Sequence, residues 1–124
     1  MAKFVFVLVF TSLLLTGCSE PIPVPEDKKE YIGLWVSSDR YISIFRNGWL
    51  EYRKKLKFGF HNSVMGNFIF KGKDIDTFFK TFIVDVEPFK DNEQWKMQID
   101  GIHYERIGSP ISYGKSNNWP EGIK

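Results

Sequence analysis

Two short turn signals set the fold class of this chain. Arg46-Asn47-Gly48 separates Tyr41-Ile42-Ser43-Ile44-Phe45 from Trp49-Leu50-Glu51-Tyr52-Arg53, and Asp100-Gly101 separates Trp95-Lys96-Met97-Gln98-Ile99 from Ile102-His103-Tyr104-Glu105-Arg106. Asn, Asp and Gly tolerate the positive φ of tight hairpin turns. The flanking runs are rich in β-branched and aromatic side chains, so each pair reads as a β-hairpin. In the second hairpin the alternation puts Trp95, Met97, Ile99, Ile102 and Tyr104 on a core face, with Lys96, Gln98, His103 and Glu105 in water. Leu56–Phe60, Phe68–Phe70 and Phe78–Val84 read as further strands, and Gly33–Val36 as the first, with a short turn around Asp74 to Phe79. Nothing after residue 18 sustains a 3.6-residue apolar period long enough for a helix. The expected fold is therefore all-β: a small antiparallel meander of about eight strands over residues 31–107, closing as a barrel or sandwich.

Size bounds what such a domain can do. The chain has 124 residues, 43% hydrophobic and 17% aromatic, with one cysteine and a formal charge of +2, which excludes multidomain enzyme architectures. About 75 residues is a marginal length for a single core, and large rings that bury 150–250 Å² in typical cores offset it. The aromatic surplus reads as structural.

The apolar residues are concentrated at one end. Lys3 followed by Phe4–Leu15 has the pattern of a secretory signal, too short for a bilayer that needs roughly 20 apolar residues, so residues 1–17 are expected to be removed. The junction Leu15-Thr16-Gly17-Cys18 resembles the bacterial lipobox. That resemblance implies a diacylglyceryl group on Cys18, which becomes the first residue, and attachment to the membrane through lipid. Each buried acyl methylene contributes about 0.8 kcal/mol, so several chains hold effectively permanently. Ser19, where an Asp would retain enterobacterial lipoproteins at the inner membrane, points by the same resemblance to the outer membrane, facing the periplasm. The only thiol is then spent on lipid, and the fold stands without a disulfide. Residues 18–30, with Pro21, Pro23 and Pro25, read as an extended tether reaching roughly 30 Å.

Catalytic patterns are missing from the sequence. His61 and His103 are far apart and have no cysteine or paired carboxylate at ligand spacing, so neither metal nor cofactor is expected. His103 and Glu105 share a strand face as an exposed polar pair. Phosphate loops and nucleophile elbows are absent, and Asp74, Asp76, Asp85, Glu87, Asp91 and Glu93 read as solvated loop residues. The densest basic run, Arg53, Lys54, Lys55 and Lys57, is followed by Phe58 and Phe60. It reads either as a surface for a ligand or partner or as an edge strand protected by lysines. A nearly neutral charge gives nucleic-acid binding no support. Phe78, Phe79 and Phe82 cannot all face one side of a strand, so either a ring is exposed or lines a cavity, or both faces are buried.

Gly33-x-Trp35 resembles the opening motif of lipocalins, in which the tryptophan plugs the closed end of a barrel. The whole mature chain resembles a group of small bacterial lipoproteins of uncharacterised function. By that likeness Trp35, Trp95, Gly101 and Arg106 are framework positions, and no catalytic residues come across. The expectation is a lipid-anchored, non-enzymatic envelope protein, either a protein-binding or structural module, a lipocalin-like carrier of an apolar ligand, or a periplasmic immunity or inhibitor lipoprotein. Residues 108–124 form a polar, turn-rich tail, expected to be loose unless Tyr113 or Trp119 docks back, and otherwise a candidate for binding a partner.

Overall fold

The computed structural model describes residues 21–114 and 116–123. The leader, Cys18 and the first tether residues lie outside that range. Nine strands form one antiparallel meander: β1 (Gly33–Val36), β2 (Arg40–Ile44), β3 (Trp49–Lys55), β4 (His61–Lys71), β5 (Asp74–Thr77), β6 (Thr81–Phe82), β7 (Val84–Asp91), β8 (Gln94–Ile99) and β9 (Ile102–Gly108). Their order in the sheet is β6-β5-β4-β3-β2-β1-β9-β8-β7. The first and last strands pair, with Trp35 opposite Arg106. The two edges, β6 and β7, are separated in sequence by Ile83 alone, and the Val84 N–H at the start of β7 donates to Asp74 Oδ1 of β5 at 2.9 Å. The result is a nearly closed, lipocalin-like barrel, in the fold class that the turn signals imply.

Both hairpins form where their turns place them. Ile44 pairs with Leu50, and Ile99 with Ile102. Asn47 Oδ1 accepts the Trp49 N–H at 3.1 Å, and Asp100 and Gly101 adopt φ of 51° and 76°. Met97, Ile99 and Tyr104 are buried, Trp95 and Ile102 half-buried, and His103 and Glu105 exposed, whereas Lys96 and Gln98, expected in water, are half-buried.

Three local expectations are corrected. Leu56–Phe60 is not a strand but the β3–β4 connection, a 3₁₀ turn over Lys57–Gly59 with Phe58 at φ 63°. The strand expected at Phe68–Phe70 is the end of an 11-residue β4, whose first half is disguised by the polar, exposed residues His61, Asn62 and Ser63. Asp74–Thr77 is a strand rather than a turn, and the break falls just after it, splitting Phe78–Val84 at Thr77–Lys80. Pro88 lies within β7: on an edge strand its missing N–H costs no ladder bond, and the register shifts there between Val86 and Phe89.

The inward-facing side chains form one cluster that includes Trp35, Ile42, Leu50, Phe68, Phe82, Met97 and Tyr104. Tyr31 enters it from a 3₁₀ turn over Glu26–Tyr31, and the Tyr31 carbonyl accepts the Trp35 Nε1–H at 2.8 Å. Arg106 closes this end. Its guanidinium lies 4.8 Å from the Trp95 ring and 5.7 Å from the Trp35 ring, and it donates to the carbonyls of Glu30 and Ile32. A Cβ at Gly33 would strike the Arg106 side chain, so the glycine two residues before Trp35 makes room for this cap. Gly101 turns the β8–β9 hairpin, and its N–H donates to Asp85 Oδ2 at 2.7 Å.

Candidate functional site

The outer face of β1–β3 is not open to solvent. Leu50 and Tyr52 point into the barrel, so Glu51 and Arg53 point outward, yet each is only 1% exposed. The tail lies over them. Leu34, Tyr41 and Ile123 form a second buried cluster, with Val36, Tyr113 and Trp119 packed against it.

Glu51 is the anchor of this cover. Its Oε1 accepts from the Tyr41 hydroxyl (2.7 Å) and from the N–H groups of Tyr113 (2.7 Å) and Gly114 (2.9 Å), while Oε2 accepts from the Ser112 hydroxyl (2.6 Å). Burial pushes the carboxyl up, but these four bonds outweigh it and hold Glu51 below the usual carboxylate range. Burial and the bond to Glu51 raise the Tyr41 hydroxyl. Arg53 holds the tail further along. It donates to the carbonyls of Ser116 (2.9 Å) and Asn118 (3.3 Å), and its guanidinium stacks 4.2 Å from the Trp119 ring centre.

Where the tail meets the β3–β4 turn, a cleft of about 380 Å³ opens, lined by Arg53, Lys55, Leu56, Phe60, His61 and Trp119 among others. Lys55 Nζ sits 5.0 Å from the Trp119 ring centre, and His61 meets that ring edge-on at 6.1 Å. Beside the cleft the turn projects, with Phe58 93% exposed, Phe60 69% and Leu56 39%. Lys57 is exposed, and Lys54 and Lys55 are half-buried. The ion pairs found among the described residues leave all three lysines out, and Asp39 is paired instead with Arg40 at 2.7 Å. The hydrogen bond from Arg40 holds the Asp39 carboxyl below its ordinary range. The apolar tip thus stands beside lysines and next to a cleft floored by the Trp119 ring.

The basic run therefore divides. Lys54 and Lys55 end β3 and Lys57 stands in the turn itself, whereas Arg53, expected on the same surface, is buried because the tail covers the outer face of β3. Nor is this an edge strand: β3 lies between β2 and β4. His61 joins the cleft, while His103 stands on the far hairpin beside Glu105. No group of three or more His, Cys, Asp or Glu side chains placed to hold a metal occurs among the described residues. Glu51, Tyr41, Ser112 and Trp119 escape sequence reasoning as a set. In Leu50-Glu51-Tyr52-Arg53 the charged residues occupy the positions that alternation assigns to water, and only the aromatic residues of the tail hint that something covers them.

Comparison of the chain with family models, curated proteins and solved structures gives no match. The residues of the site stand on their own geometry.

Proposed function

We propose that this protein is a lipid-anchored, non-enzymatic envelope protein of the bacterial outer membrane whose barrel binds another protein through the β3–β4 tip. The observation that carries the reading is Phe58. It is a large ring 93% exposed, held at a positive φ that an aromatic residue rarely adopts, and followed in sequence by a glycine at φ 81°. A turn serving the fold alone would place glycine or asparagine at such a position, so an exposed ring with lysines beside it favours a contact surface. The anchor rests on the resemblance of Leu15-Thr16-Gly17-Cys18 to a lipobox. The large side chains clustered inside the barrel, Trp35, Ile42, Leu50, Phe68 and Phe82 among them, favour this reading over a carrier of apolar ligands. An inhibitor of a periplasmic toxin would fit the same surface, its target presenting carboxylates.

Two experiments test it. The mass of full-length protein purified from the envelope is expected to carry a diacylglyceryl thioether on Cys18 that the Cys18→Ser variant lacks. Photo-crosslinking in whole cells from a benzophenone amino acid at position 58 is expected to give a discrete protein adduct that Lys55→Glu and Lys57→Glu remove. Equal adducts from position 58 and from an exposed position on β7, such as Glu87, would reject the tip as the contact.

A further inference from the structure

A second pair of exposed rings sits at the β5–β6 turn. Phe78 is 93% exposed and Phe79 73%, their rings edge-to-face at 5.1 Å. Their backbone is not loose. The Thr77 N–H donates to the Lys80 carbonyl (2.9 Å), the Thr77 hydroxyl donates to the same carbonyl (2.7 Å), and the Lys80 N–H donates back to that hydroxyl (2.9 Å). The turn is thus closed by polar atoms alone, and neither ring contributes to closing it. Polar or small residues would serve such a turn as well.

The turn lies beside the start of the described chain. Phe78, Ile22, Phe68 and Ile69 line one cleft of about 250 Å³, and Ile22 and Ile69 are themselves 60% and 42% exposed. The chain around Ile22 is fastened to the barrel rather than standing off as a free spacer. The Val24 N–H donates to the Arg46 carbonyl at 2.9 Å, and a Cβ at Gly48 would strike the Ile22 carbonyl. Pro21 is three residues from Cys18, a span of at most about 10 Å.

We infer that the Phe78–Phe79 turn, with Ile22, enters the lipid surface to which Cys18 is anchored and seats the barrel on it. This rests on the reading of Cys18 as lipidated. A lipid held within about 10 Å of Pro21 brings the apolar patch to the headgroup boundary without any reach of tether, and aromatic rings at a fixed turn suit that depth. The charges beside the patch fit. Asp76 in the cleft is occupied by Lys71 at 3.1 Å and by the Thr81 hydroxyl at 2.6 Å, Lys80 pairs with Asp100 at 3.1 Å, and Arg46 is exposed on the neighbouring turn. The geometry also orients the protein-binding tip. The β3–β4 ladder runs from Trp49–Asn67, at the Phe78 cleft, to Lys55–His61, at the Phe58 turn, a distance of roughly 20 Å at strand spacing. Seated on Phe78 and Phe79, the barrel presents Phe58 away from the bilayer.

The test uses full-length protein in phosphatidylethanolamine–phosphatidylglycerol vesicles, with and without lipids brominated on the acyl chains. Phe78→Trp is expected to add a blue-shifted emission that bromine quenches at least twofold more than the protein's own tryptophans, whereas the emission added by Phe58→Trp stays unquenched. If the protein carries lipid on Cys18 and the emission from position 78 is no more quenched than that from position 58, the seating is overturned while the anchor stands. A blue shift that grows with protein concentration and is unquenched overturns it in favour of contact between copies. Protein whose mass shows no lipid on Cys18 overturns both readings together.

Discussion

The two faces of β1–β3 are buried by different physics. Inside, Trp35, Ile42, Ile44 and Leu50 meet other apolar side chains, and burial of each contributes roughly 2 kcal/mol with no demand on charge. Outside, on the same strands, Tyr41, Ser43, Glu51 and Arg53 are buried by a tail that makes directed bonds to three of them: three to Glu51, which also accepts from Tyr41, two from Arg53, whose Nε is left without a partner, and one from the Ile111 N–H to Ser43 Oγ at 2.9 Å. A barrel of this size needs only the inner set to close. The outer set turns a solvent face into a second core, and it does so with groups that titrate. The tail should therefore open as a local unit, at lower free energy than the barrel.

The largest effect separates the two faces. Trp35→Ala empties the centre of the inner cluster and removes the ring under Arg106, at a cost of about 4 kcal/mol. Against a total of about 5–15 kcal/mol, the whole barrel is expected to lose cooperative unfolding or shift sharply to lower urea, seen by far-UV circular dichroism. Ile123→Ala, in the outer cluster, is expected to expose the tail to protease while leaving the barrel transition within about 1 kcal/mol of the parent.

Glu51→Gln comes next, on the order of 2 kcal/mol, because an amide brings its own N–H groups to a point where four donors already converge. Proteolysis of residues 109–123 is expected to accelerate in this variant with the barrel intact. The carboxyl is held low when folded and returns to the ordinary carboxylate range when the tail is released, so the released state binds more protons. The stabilisation from Glu51 is thus complete above that ordinary range and is lost as pH falls through the lower folded value. Asp39 and Asp76, also held low, weaken in the same direction. The difference between parent and Glu51→Gln isolates Glu51: acid should release the tail of the parent, while the variant starts released and changes little.

The inner face was legible because its signals are local. Alternation in Trp95–Ile99 and the Asn-Gly and Asp-Gly turns need only neighbouring residues to be read. The errors fall where tertiary context overrides local pattern. Phe78 and Phe79 look like strand interior, yet Thr77 closes a turn around them. Leu56–Phe60 alternates like a strand, yet Phe58 takes a left-handed turn. The outer face was the hardest to foresee, because burial of Glu51 depends on a segment some 60 residues later, and nothing in Leu50-Glu51-Tyr52-Arg53 encodes that arrival.

The smallest effect lies outside both faces. A phenylalanine at φ 63° is strained by about 1 kcal/mol relative to glycine, while glycine makes the unfolded chain more costly to order. Phe58→Gly is therefore expected to leave the urea midpoint unchanged or to raise stability by about 0.5 kcal/mol, and to leave tail protection as in the parent. The same variant should abolish the adduct formed when the crosslinker is moved to position 60. A residue whose removal relieves the fold and costs the contact is held there by the contact. If Phe58→Gly instead loosens the tail, the turn belongs to the outer cover and the division between the two faces extends to it.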